Sequence, residues 1–295
     1  MNEDASSVAA SLCEARGLSC VLSHAAHPPS PRFGAAGRTA ATALLLTVAA
    51  FFFLAQQAFA IEPLEESVEQ KYDVDANATL SVANTDGSIR IYAAETLQIS
   101  VQAIKKAYTS ERLQKIAVDV KATRNSVAIT TSFPPRKNVL SDRSGTVDYI
   151  IVVPLTIRMT QLELVNGELL VEGLRGGSAT AHLVNGWMCG HNCFGDLNLN
   201  LETGRIDLAY DWWENDTFAI KASSTRGNVR AILPSDAAVT LNAAALEGRI
   251  SNGFDPKVRD GDVVHSISTV IGADAETTIS LEARRGNIRI DKMNY

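Results

Sequence analysis

The sequence predicts an all-β protein, a right-handed β-solenoid or β-helix-like stack of short strands with x-Gly turns, and three observations carry that expectation. Past residue 60 helical periodicity is nearly absent and alternation dominates, as in "SIRIYAA", "LQISVQAI", "SVAITTSF" and "VDYIIVVPL". Short β-branched segments bounded by Asn, Asp, Gly, Pro and Ser read as strands. From Met159 onward turn signals recur at Asn166-Gly167, Gly176-Gly177, Asn185-Gly186, Gly195-Asp196, Thr203-Gly204, Arg226-Gly227, Glu247-Gly248 and Arg285-Gly286. Finally, the stretch "LVNGELLVEGLRGGSATAHLVNG" writes LVNG twice, nineteen residues apart.

A strand of about six residues and its turn use up about nine or ten, so two such units repeat a corner at about nineteen. Glycine supplies the positive φ of a tight corner at no steric cost, and asparagine tolerates it better than most residues. The alternative is an antiparallel β-meander or sandwich, because Asn-Gly is also a strong hairpin signal. The match at nineteen rather than ten favours the coil. So do Thr203, Glu247 and Arg285 as first turn residues, which suit a hairpin turn poorly.

The elements follow in order. Residues 1–37, rich in Pro, Ser, Gly and Ala, read as a disordered tail or an over-called start. Residues 38–60 hold the uncharged run "TAATALLLTVAAFFFLA", and Ala58 and Ala60 in "AFA" form a small-x-small cleavage site. This is a signal peptide or, with about twenty apolar residues, a retained membrane anchor. Residues 61–158 form the N-terminal β part, with a turn or two of helix expected at Ser110–Ile116, capped by Thr109 or Ser110. Residues 159–295 carry the repeats, and "NTDGSIRIYAA" at Asn84–Ala94 is their upstream cousin.

A net charge of −6 opposes nucleic-acid binding, which needs clustered Lys and Arg. The glycines are spaced by strands, so no phosphate loop is present, and "SSTRG" at Ser223–Gly227 is not a nucleophile elbow. The acids Glu163, Glu168, Glu172, Glu202 and Asp207 read as solvated strand faces rather than a glycosidase or lyase groove. His265 reads as structural.

The segments "VANTDGSIRIYAAETLQISVQAIKKA", "VDYIIVVPL", "LELVNGELLVEGLRG", "WWENDTFAIKASSTRGNVRAILPSDAAVTLNAAALEGRISNGF" and "LEARRGNIRI" resemble the bacterial putative-adhesin family, related to the head-GIN adhesin domains. The resemblance covers about Val68 to the C-terminus. It implies an exported envelope β-solenoid without catalytic residues to carry over. The sequence departs from the family's plain rung at "NGWMCGHNCFGDL".

That departure supplies one candidate site. In an exported chain Cys189 and Cys193 most simply form a disulfide across a small loop. Free thiols are the alternative, and a metal site would need Cys189, His191, Cys193 and His182 to converge. On an unbroken strand Cys189, His191 and Cys193 would share a face. The second candidate is "YDWWEND", where Tyr210, Trp212 and Trp213 either stack on a ligand or fill and cover the core. The expected function is thus a non-catalytic binding or structural module of the periplasm, envelope or surface, requiring no cofactor. A polysaccharide-active enzyme and a membrane-anchored sensor or scaffold are the alternatives. The expected partner is a surface glycan or an envelope protein, with no nucleic acid and with membrane contact only through residues 39–60.

Overall fold

The computed structural model describes residues 62–135, 145–255 and 265–293. The expected signal segment, with Ala58 and Ala60, and the tail before it lie outside the described residues. Ile61–Tyr295 forms one compact unit, and its described part is all-β apart from one helical turn and a half.

Strands β1 (Leu64–Asp73), β2 (Thr79–Ala94) and β3 (Gln98–Ala107) precede the helix α1 (Ser110–Lys115). Thr109 caps α1 by accepting from the Arg112 N–H. Then come β4 (Ala117–Thr123), β5 (Ser126–Ser132) and β6 (Thr146–Pro154). Four long strands follow: β7 (Arg158–Glu172), β8 (Arg175–His191), β9 (Phe194–Ala209) and β10 (Ala219–Pro234). The described chain ends with β11 (Val239–Glu247), β12 (Ile250–Asn252), β13 (Ser266–Ile271), β14 (Thr277–Arg285) and β15 (Ile288–Met293).

Strand β2 lies parallel to β7, and β7, β8, β9 and β10 pair parallel in sequence order. The hairpin alternative therefore fails for these strands. The expectation of short strands also fails, because each of β7–β10 runs through its x-Gly signal without a break. The glycine is a corner inside a strand. In β9 the inward residues are Leu197, Leu199 and Leu201 before Gly204, and Ile206 and Leu208 after it. The alternation changes phase at the corner, so the apolar side stays inside while the chain changes direction.

The registers set these corners in one column: Gly87 beside Gly167, Gly167 beside Gly186, Gly186 beside Gly204, and Gly204 beside Gly227. Each has positive φ, and the backbones all but touch. A Cβ on Gly186 would lie 1.9 Å from the Gly167 carbonyl oxygen, and one on Gly204 1.8 Å from that of Gly186. The preceding residue forms a second column. Asn166 Nδ2 donates to Asp86 Oδ1 at 2.8 Å, and Asn185 Nδ2 to Asn166 Oδ1 at 3.1 Å. LVNG thus recurs because Leu faces the core, Asn extends a side-chain ladder, and only Gly permits the approach.

The last two layers depart from chain order. β14 lies between β10 and β11, and β15 pairs with both β10 and β12. Gly286 therefore sits on Gly227, and Gly248 on Gly286. This ties the C-terminal strands between neighbours instead of leaving them at an end. Inside, Leu197, Ile220, Ile279 and Leu241 form one continuous column, and Ile206, Val229, Ile288 and Ile250 another, all essentially solvent-free. Burying each such side chain is worth about 1.5–3 kcal/mol.

Gly186→Ala should destabilise the protein by about 3 kcal/mol or more, since it adds a backbone collision to an unfavourable φ. Gly176→Ala, at φ +64 but with only the Thr156 methyl 3.9 Å away, should cost about 1 kcal/mol. Urea unfolding of the two variants decides: equal losses would refute close approach as the reason for the column.

Candidate functional site

On the segments after the corner, alternation turns Trp187, Cys189 and His191 outward, with Met188 and Gly190 inward. Parallel pairing sets Trp187 between Glu168 and Arg205, Cys189 between Leu170 and Asp207, and His191 between Glu172 and Ala209. Trp187 Nε1 donates to Asp207 Oδ2 at 2.7 Å, Arg205 Nε pairs with the same oxygen at 2.8 Å, and the guanidinium stands 5.8 Å over the indole. Asp207 Oδ1 is buried without a hydrogen-bond partner.

The chain then turns at Asn192, whose φ is +49. That corner separates the two cysteines. Cys189 remains on the outer face under its neighbours, whereas Cys193 passes into the core, where its thiol donates to the Val171 and His191 carbonyls at 3.3 and 3.4 Å. Both are free thiols, so the expected disulfide is not formed. The shared face failed because it assumed a strand continuing through Asn192. Burial pushes both thiols up to about 12, leaving them protonated and poorly nucleophilic.

His191 is clasped by two carboxylates, Glu172 Oε1 at 3.3 Å from Nδ1 and Asp211 Oδ2 at 3.0 Å from Nε2. Asn192 Oδ1 accepts from the Asp211 N–H at 2.8 Å and fixes that partner. The bond to Glu172 above all raises the imidazole pKa, against a smaller opposing effect of burial. A neighbouring carboxylate favours the charged form of an imidazole. His182 lies before the corner instead, 3.6 Å from Glu202, so the four potential ligands do not converge. Among the described residues no group of three His, Cys, Asp or Glu is placed to hold a metal. His265 Nδ1 contacts the Ala245 carbonyl at 3.3 Å, and Glu168 pairs with Arg90 at 3.2 Å.

The loop between β9 and β10 divides its aromatics. Tyr210 is fully buried, stacks edge-on to Phe194 at 5.4 Å, and donates to the Cys193 carbonyl at 2.7 Å, so it cannot contact a ligand. Trp213 is half-buried against Tyr210 at 5.3 Å and Phe218 at 6.0 Å. Trp212 alone stays open, 43% exposed, with its ring 6.0 Å from Phe194. Its Nε1 donates to Glu214 Oε1 at 2.8 Å, and Arg175 grips the same oxygen at 2.7 Å. The guanidinium in turn lies 5.7 Å over Phe194.

Sequence reasoning missed Trp187, Arg175, Glu214, and the carboxylates around His191. One signal was present: Glu172 and His191 are nineteen residues apart, the LVNG interval, and hence neighbours in the register.

No family model and no curated protein matches the chain. Solved structures do. A putative cell adhesion protein from Clostridium sporogenes aligns at 16% identity and TM-score 0.49 over 79% of this chain and 100% of its own. A putative adhesin from Bacteroides fragilis aligns at 10% and 0.25, covering 77% and 97%. A putative lipid binding protein from Parabacteroides distasonis aligns at 9% and 0.28, covering 78% and 97%. Each is a structure to which this chain is similar.

Denatured without reductant, the protein should expose Cys189 and Cys193 to alkylation, whereas the native protein should leave both unlabelled. Labelling that needs a reductant would restore the disulfide. For His191, a folded pKa above the ordinary 6.5 means that its stabilisation is complete below that value and is lost as pH rises through the folded pKa. His191→Gln should therefore flatten the decline in urea midpoint as pH rises above about 6.5. An unchanged decline would show that the clasp does not couple to folding.

Proposed function

We propose that the chain is an exported, non-catalytic binding module of the cell envelope that contacts a glycan through Trp212. The observation that carries this is the way Trp212 is held: open to solvent, backed by Phe194, and with its indole N–H fixed on Glu214. An aromatic face already immobilised loses little conformational freedom when a sugar ring stacks on it. The Glu214–Arg175 pair beside it offers an acceptor and donors to hydroxyl groups. The thiols nearby are buried and protonated, which favours binding over catalysis. Export rests on the apolar run and the small-residue site of the sequence. Among the described residues no helix is long and apolar enough to cross a membrane.

Trp212→Ala should abolish binding on a glycan array while leaving the melting temperature within about 2 °C of wild type. Trp213→Ala should do the reverse and lower the melting temperature, because that ring packs on the core. Retained glycan binding by Trp212→Ala, or no binding by wild type on a broad array, would end the reading.

A further inference from the structure

We propose that a second copy of this chain docks at the β1–β4 end, each copy laying its β1 along the free edge of the other's β4. Beyond β2 the two sides of the core are unequal. Three strands, β6, β3 and β1, extend from the second segment of β2, and two, β5 and β4, from the first. β1 therefore overhangs. It is hydrogen-bonded along its length to β3, yet its residues are exposed on both faces apart from a half-buried Tyr72. Among the described residues β4 pairs with β5 alone, so its other edge presents unpaired backbone groups. Between overhang and edge lies a mouth of about 290 Å³, with Val68 and Tyr72 of β1 facing Val118 and Val120 of β4 over Val101 and Ala103.

This end lacks one strand, and a two-fold axis that exchanges the two sides supplies it twice. Three strands of one copy then meet two of the other on each side, a self-complementary closure. The chemistry agrees. Val68 and Tyr72 would cover Val118 and Val120, while the opposite faces carry Glu69, Lys71 and Asp73 on β1 and Asp119 and Lys121 on β4, all exposed. Opposite charges set across a strand pair are stabilising and like charges are not. The rival self-pairings fit worse. Two β1 edges would leave both β4 edges unpaired, and two β4 edges would drive the overhanging β1 strands into each other.

Sedimentation of the wild-type protein at on the order of 100 μM should give twice the chain mass. Val68→Lys should weaken dimerisation at least about tenfold and leave the melting temperature unchanged at concentrations too low for dimers, because Val68 is already 42% exposed in one copy. Cross-linking then identifies the edges, in a background with Cys13 and Cys20 replaced by serine. Glu69→Cys chains mixed with Lys121→Cys chains should be joined by a short bis-maleimide, and neither variant alone should be. A single-chain mass for wild type, a Val68→Lys dimer of undiminished affinity, or cross-linking of Lys121→Cys chains alone would each overturn the proposal. If Val68→Lys fails to fold, the mixed cross-link alone decides.

Discussion

Backbone contact at the corner is the constraint on which the rest depends. Neighbouring strands stack in register only if Gly87, Gly167, Gly186, Gly204 and Gly227 let one chain rest against the carbonyl of the next. A single Cβ in that column would push two layers apart and break the inward columns on both sides of it. Close-packed interiors tolerate such separation badly. The apolar core is thus set by residues that contribute no apolar surface. A smaller version recurs at the opposite bend, where a Cβ on Gly177 would meet the Ile157 carbonyl oxygen at 2.4 Å and one on Gly195 that of Gly177 at 2.5 Å.

The distinctive chemistry sits where this rule relaxes. At Asn192, in the turn between β8 and β9, a non-glycine residue takes a left-handed φ of +49, and its side chain also binds Asp211. That single turn sends Cys193 inward and leaves His191 between its two carboxylates. The longer excursion between β9 and β10 then wraps the bend, burying Tyr210, half-burying Trp213 and leaving Trp212 outside. Bonds from Glu172 and Asp211 to His191, and from Trp187 and Arg205 to Asp207, hold the side chains of this region.

The two ends of the stack are managed differently. At one, β13 pairs antiparallel on β11; at the other, β4 and the β3–β1 pair close the layers unevenly. Charge along β1 and β4 discourages indiscriminate edge pairing, as edge strands of soluble proteins generally require. It also allows one specific arrangement. A strand exposed on both faces is held by hydrogen bonds and ion pairs such as Lys105–Glu66 at 2.8 Å, without the burial that stabilises the inner strands.

The sequence by itself determined the all-β class, the corner glycines and the interval of nineteen, because alternation and positive-φ residues are local properties of the chain. It also determined which of Leu, Val, Asn and Gly in LVNG does what, once the interval is read as a register. Only the tertiary structure decided that the corners lie within long strands, and that β14 and β15 enter ahead of β11 and β12. Strand pairing depends on which edges are free when the chain returns, and that is not written locally. The fates of Cys189, Cys193, Tyr210, Trp212 and Trp213 were likewise settled in three dimensions. Each depends on a bend at Asn192 or on rings from distant segments, and adjacency in sequence does not encode which side of a bend a side chain reaches.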